Sequence, residues 1–64
     1  MNEYYVLHRT DDNEYQIISI LKDSGQNPLY GYGSWDIFAG PFDTFEEADR
    51  AVFVGVLSGG QYYS

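Results

Sequence analysis

Tyr4 to Arg9 (YYVLHR) gathers aromatic and β-branched residues, a pattern that predicts a first strand. The polar cluster Thr10-Asp11-Asp12-Asn13 predicts a turn, and Tyr15 to Lys22 (YQIISILK) predicts a second strand. So short a gap joins the two as a hairpin. A period of two along the second strand puts Ile18 and Ile20 on one face, and Tyr15, Ile17, Ser19 and Leu21 on the other.

Asp23-Ser24-Gly25-Gln26-Asn27-Pro28 breaks that pattern, and the glycines up to Gly33 extend the break into a long loop carrying Tyr30 and Tyr32. Ser34 to Ala39 (SWDIFA) reads as a third strand, with Trp35 and Ile37 facing one way and Asp36 and Phe38 the other. Pro41 cannot donate to a ladder, so pairing is expected to stop at Gly40-Pro41.

A helix is then predicted from Thr44 to about Ser58. Thr44-x-x-Glu47 fits a capping box, in which the hydroxyl accepts from the third helical amide and Glu47 reaches back to the cap amide. Glu46, Glu47 and Asp49 load its first turns with the charge that the helix dipole favours. Gly59-Gly60 ends it. At 3.6 residues per turn, Phe45, Ala48, Ala51, Val52, Gly55 and Val56 form one apolar stripe, expected to cover the sheet. Phe53, Val54 and Leu57 fall outside it, on the flank or back. A rival reading ends the helix near Ala51 and makes VFVGVL a fourth strand. The expected fold is a single α+β domain over residues 1–64: a three-stranded antiparallel β-meander followed by one C-terminal α-helix packed on a sheet face (β-β-β-α).

Composition narrows the function classes. At 64 residues the chain is one domain with a small core, since a fold of this size buries only about 60% of the surface its unfolded chain exposes. It has no cysteine and one histidine, so neither a disulfide nor a zinc site of the usual four ligands is expected, and no cofactor is implied. No apolar run approaches the length of a membrane span, and Met1-Asn2-Glu3 lacks the start of a signal peptide. These features lead to the expectation of a complete, soluble, cytoplasmic protein. Ten acidic residues against three basic ones give a net charge of −7, which disfavours nucleic acid or anionic membrane as a direct partner and favours a basic protein.

Catalytic chemistry finds little support. A nucleophile needs a base and an orienting group, and His8 reads as a surface or packing residue at a strand end. Asp11-Asp12-Asn13-Glu14 lacks the spacing of an EF-hand loop and reads as a polar turn. Gly31-Tyr32-Gly33 matches no phosphate-binding pattern. The expectation is a binding protein and not an enzyme, with no catalytic, cofactor or metal residues.

Two residue sets stand out for binding. Seven tyrosines are too many for so small a core, and tyrosine is enriched at interfaces. Tyr30, Tyr32 and Trp35 are the preferred contact patch. Asp36, Asp43, Glu46, Glu47 and Asp49 form the second set. Helical residues three or four apart stand about 5–6 Å apart, on the scale of phosphate spacing, so such a face can imitate a nucleic-acid backbone. The plainer alternative is a solvated helix start in which Arg50 pairs with Glu46 or Glu47. Phe53, Val54 and Leu57 make a third set, suited to self-association as a homodimer.

The segment Gly40-Pro41-Phe42-Asp43-Thr44-x-Glu46-Glu47-Ala48 resembles the strand–GPF–helix element of the peptidoglycan-binding SPOR repeat. It is also similar to short phage and mobile-element proteins with a β-meander followed by a GPFDT-x-EEA helix. The resemblance covers roughly Trp35 to Leu57. The phage-type resemblance implies an anti-defence or host-takeover inhibitor, some of which mimic DNA, acting in the host cytoplasm on a basic nucleic-acid-handling protein. The SPOR resemblance implies glycan binding through the sheet.

Overall fold

The computed structural model of the chain describes residues 1–63. Strands β1 (Asn2–Arg9) and β2 (Glu14–Leu21) form the expected hairpin, in regular antiparallel register from Asn2↔Leu21 to Arg9↔Glu14. Strand β3 (Asp36–Phe42) is followed by helix α1 (Phe45–Leu57) and a two-residue strand β4 (Gln61–Tyr62). The fold is α+β: three antiparallel strands, then a helix on one face of the sheet.

Strand order is β3-β1-β2-β4, which differs from the sequential order of a meander. β3 pairs antiparallel with β1, so β2 and β3 run in the same direction with β1 between them. Strands that run the same way need a crossover of a dozen residues or more, and segment 22–35 supplies one. It crosses the sheet face opposite α1 and seats Leu29, Tyr32 and Trp35 against Tyr5, Leu7 and Ile18. On the helix side, Val6, Tyr15, Ala48 and Val52 form the larger core. Central strand β1 is therefore covered on both faces, and Val6 and Leu7 are both fully buried.

Pairing does not stop at Pro41. β3 runs through it to Phe42, which lies opposite Tyr4. The ladder absorbs the proline through register irregularities on either side of Val6. An extra β3 residue lies opposite the Val6–Leu7 step, so Phe38 and Ala39 both contact the helix-side cluster. The Gly40–Pro41 peptide is cis.

VFVGVL lies within the helix and is not a strand. Thr44 caps α1: its Oγ1 accepts from the Glu47 amide at 3.2 Å, and its hydroxyl donates to Glu47 Oε1 at 3.1 Å. The Glu47 carboxylate thus meets the cap hydroxyl, not the cap amide. The helix ends where Gly59 takes a positive φ and donates to the Val56 carbonyl, while Gly60 donates to Gly55.

Turning back at this point, the chain lays β4 parallel to β2 at Glu14 and Tyr15. The sequence pattern did not announce this fourth strand. Tyr15 sits between the two turns of chain that pass it: a methyl at Gly55 or Gly60 would come within 2.4 or 2.3 Å of its ring atoms. Glycine at both positions lets α1 and the chain leading into β4 close over the tyrosine.

Candidate functional site

The outward side of α1 collects the surface features that the core does not explain. Phe45, Phe53, Val54 and Leu57 are each more than half exposed. Phe53, Val54 and Leu57 were expected off the buried stripe. Phe45 was expected within it, but it lies at the first helical position and is 54% exposed. It touches the sheet through an edge-on contact with Tyr4, with ring centroids 6.2 Å apart.

Phe45 and Phe53 stand two turns apart and wall an open groove of about 630 Å³, floored by Glu46, Asp49 and Arg50. A second depression of about 300 Å³ lies along the other flank, between Phe42, Glu47, Arg50, Ala51 and Val54.

Charge on this side is mostly uncompensated. Asp43, Glu46 and Glu47 are exposed. Among the described residues none of them forms an ion pair, and Arg50 forms none either. The expected pairing of Arg50 with Glu46 or Glu47 is therefore absent from the structure. Asp49 is half-buried and accepts a hydrogen bond from the Tyr62 hydroxyl at 3.1 Å. Burial, helped by that bond to a carboxylate, raises the Tyr62 phenol above its ordinary pKa.

The acidic turn between β1 and β2 behaves differently. The Arg9 guanidinium holds Asp12 at 2.5–3.0 Å and Glu14 at 2.6 Å. The Arg9 hydrogen bonds depress the Asp12 carboxyl to about 2 and raise Arg9 above its own ordinary value. Two of the ten carboxylates thus share one cation, at the end of the sheet and away from the helix start.

The aromatic patch expected from Tyr30, Tyr32 and Trp35 is divided. Tyr30 is 81% exposed on the crossover loop. Tyr32 is half-buried against the loop-side cluster, and Trp35 is 7% exposed. The Trp35 ring carries the Arg9 guanidinium 4.8 Å from its centroid and meets Tyr63 edge-on at 5.2 Å. Its surface is consumed by folding, because the crossover needs an apolar anchor on Leu7 and Ile18. Asp36 opens β3 opposite His8, apart from the helix-start carboxylates in the ladder.

The structure thus joins Glu46, Glu47 and Asp49 with Phe53 and Val54 on one helix, with Asp43 just before its cap, and leaves Tyr30, Tyr32, Trp35 and Asp36 elsewhere. Sequence reasoning missed Phe45 as a surface residue, and it placed Arg50 on the surface but in an ion pair that the structure does not form. The available signal was position: Phe45 directly follows the cap, and Arg50 sits between the two exposed phenylalanines. His8 stacks on Tyr15 at 4.4 Å and hydrogen-bonds Asn13 at 2.7 Å.

Compared with family models, with curated proteins and with solved structures, the chain matches none.

The helix surface is open, shallow and lined by aromatic rings beside carboxylates. That arrangement suits a flat or convex polypeptide surface better than an enclosed small molecule. Among the described residues, no helix is long and apolar enough to cross a membrane.

Proposed function

We propose that this chain is a small acidic protein-binding module that docks on a basic partner protein through the outward side of α1. The observation that carries the reading is Phe45 and Phe53 standing exposed beside Asp43, Glu46 and Glu47, which no described cation pairs. Exposed apolar anchors supply affinity once water is excluded. Unpaired carboxylates steer a basic partner into contact and reject acidic surfaces. A basic surface of that kind is common on proteins that handle nucleic acid, so the partner class we favour is a nucleic-acid-binding enzyme or complex. The resemblance to short phage and mobile-element proteins would make the chain its inhibitor.

Capture from lysate with the wild-type chain, run beside Phe53→Ser and the double variant Glu46→Lys/Glu47→Lys, tests this reading. The expected result is a basic protein retained by the wild type, weakly held by both variants and released by moderate salt. A partner retained equally by all three chains, or insensitive to salt, would overturn it.

A further inference from the structure

The two long edges of the sheet are built differently. The outer edge of β3 is blunted: its register is irregular, Pro41 has no N–H to offer, and Asp36 and Asp43 flank it. Such devices keep an edge from pairing with another chain. From Gln16 to Leu21 the outer edge of β2 has none of them: its register with β1 is unbroken, and it carries no proline and no charged side chain.

Hydrogen bonds fix which backbone groups lie on that edge. The Asn13 and Tyr15 carbonyls accept from Gln61 and Tyr63, so odd-numbered residues direct their N–H and C=O toward β4. On the even side, the Lys22 amide donates to Met1, next to β1. The period of two then turns Ile17, Ser19 and Leu21 toward the edge. β4 covers only Glu14 and Tyr15 of this strand. Among the described residues, nothing pairs with the outward groups of Ser19 or with the Leu21 amide, while the Leu21 carbonyl takes a turn bond from Ser24.

We propose that this edge pairs with the same edge of a second copy, antiparallel and two-fold symmetric about Ser19, to give one sheet running through both chains. In that register Ser19 meets the second copy's Ser19 and exchanges two backbone hydrogen bonds with it. Each Leu21 amide donates to the Ile17 carbonyl of the other copy. On the helix side Leu21, 57% exposed in the single chain, packs against the second copy's Ile17. On the loop side Ile20 meets the second copy's Ile18. β4 sets the length of the pairing, because its position blocks the second strand beyond Leu21.

A second copy fits this edge on grounds of charge. The chain carries −7, yet Gln16 to Leu21 contains no charged side chain, and Lys22 follows directly. The pairing therefore brings no carboxylate of one strand opposite a carboxylate of the other. The repulsion that remains is long-range and screened by salt, with a Debye length of about 8 Å at physiological ionic strength. Self-pairing should then strengthen as salt is added, whereas binding of a basic protein to α1 should weaken.

Sedimentation equilibrium from micromolar to millimolar chain, at low and high salt, reads the outcome. The wild type should reach twice the monomer mass, more readily at high salt. Ser19→Lys, which places two ammonium groups at the symmetry axis, should remain monomeric. Ser19→Pro should do the same, since the lost N–H faces outward and the β1 ladder keeps its bonds. Circular dichroism establishes that each variant is folded, and Leu57→Lys, on the helix, should leave the dimer intact. A wild type that stays monomeric throughout overturns the proposal. So does a dimer that persists in folded Ser19→Lys, which would place the contact on another surface.

Discussion

Tyr15 shows how much of this small fold depends on single side chains. Its ring occupies the space that side chains at Gly55 and Gly60 would take, beneath the helix and the turn into β4. Overpacking a filled core costs typically 1–3 kcal/mol. Gly55→Ala should therefore lower the urea midpoint markedly despite alanine's better helix propensity, and an unchanged midpoint would show that the ring is free to move aside. Tyr62 offers a titration. Its phenol is raised in the folded chain, so the folded state favours the neutral form. The stability it contributes is full below about pH 10, the ordinary value for tyrosine, and is lost as pH rises through the folded value. Tyr62→Phe should remove an ionisation above that pH from the tyrosinate absorbance of the folded protein.

Elements here are held by a few well-placed contacts at their ends. The start of α1 rests on Thr44, which satisfies the Glu47 amide. Replacing such a cap by alanine costs about 1 kcal/mol, so Thr44→Ala should lower stability by that order in a denaturant melt, and Thr44→Ser should recover most of it. The crossover loop has no helix to cover the sheet and uses Leu29, Tyr32 and Trp35 instead. Loop turns hold it in place: Leu29 donates to the Asn27 side chain, and the Tyr32 and Trp35 amides close successive turns. The C-terminal tyrosines diverge to opposite faces, Tyr62 to Asp49 on the helix and Tyr63 to Trp35 under the loop. β4 is short, yet it ties both layers to the same sheet edge.

Taken whole, the molecule places its unpaired acidic and apolar surface on the helix and its uncharged open edge on β2. The two surfaces predict opposite responses to salt. Binding of a basic partner at α1 should weaken as ionic strength rises, and pairing through β2 should strengthen. Measuring both on one preparation separates them, because the charge-neutral Phe53→Ser alters only the first and the charge-neutral Ser19→Pro only the second. If both variants shifted both equilibria together, the two surfaces would be one interface and the assignment of separate roles would fail.

The chain's local chemistry determined the β1–β2 hairpin, the helix from its Thr44 cap to the Gly59 stop, and the α+β class. Each rests on neighbours in sequence: turn residues, a period of two, a capping hydroxyl. What the crossover loop covers, where β3 joins the sheet, and whether Trp35 and Phe45 face core or solvent were settled only when distant segments met. Those outcomes depend on competition for the two faces of β1, and no window along the sequence records it. Trp35 was taken by the loop-side core because Leu7 and Ile18 needed a cover. Phe45 was left outside because the helix-side core was already filled by Tyr15, Val6, Ala48 and Val52. The carboxylates at the helix start were legible because dipole and cap place them locally. Their lack of a cationic partner was not, because Arg50 and Arg9 could be assigned only in three dimensions.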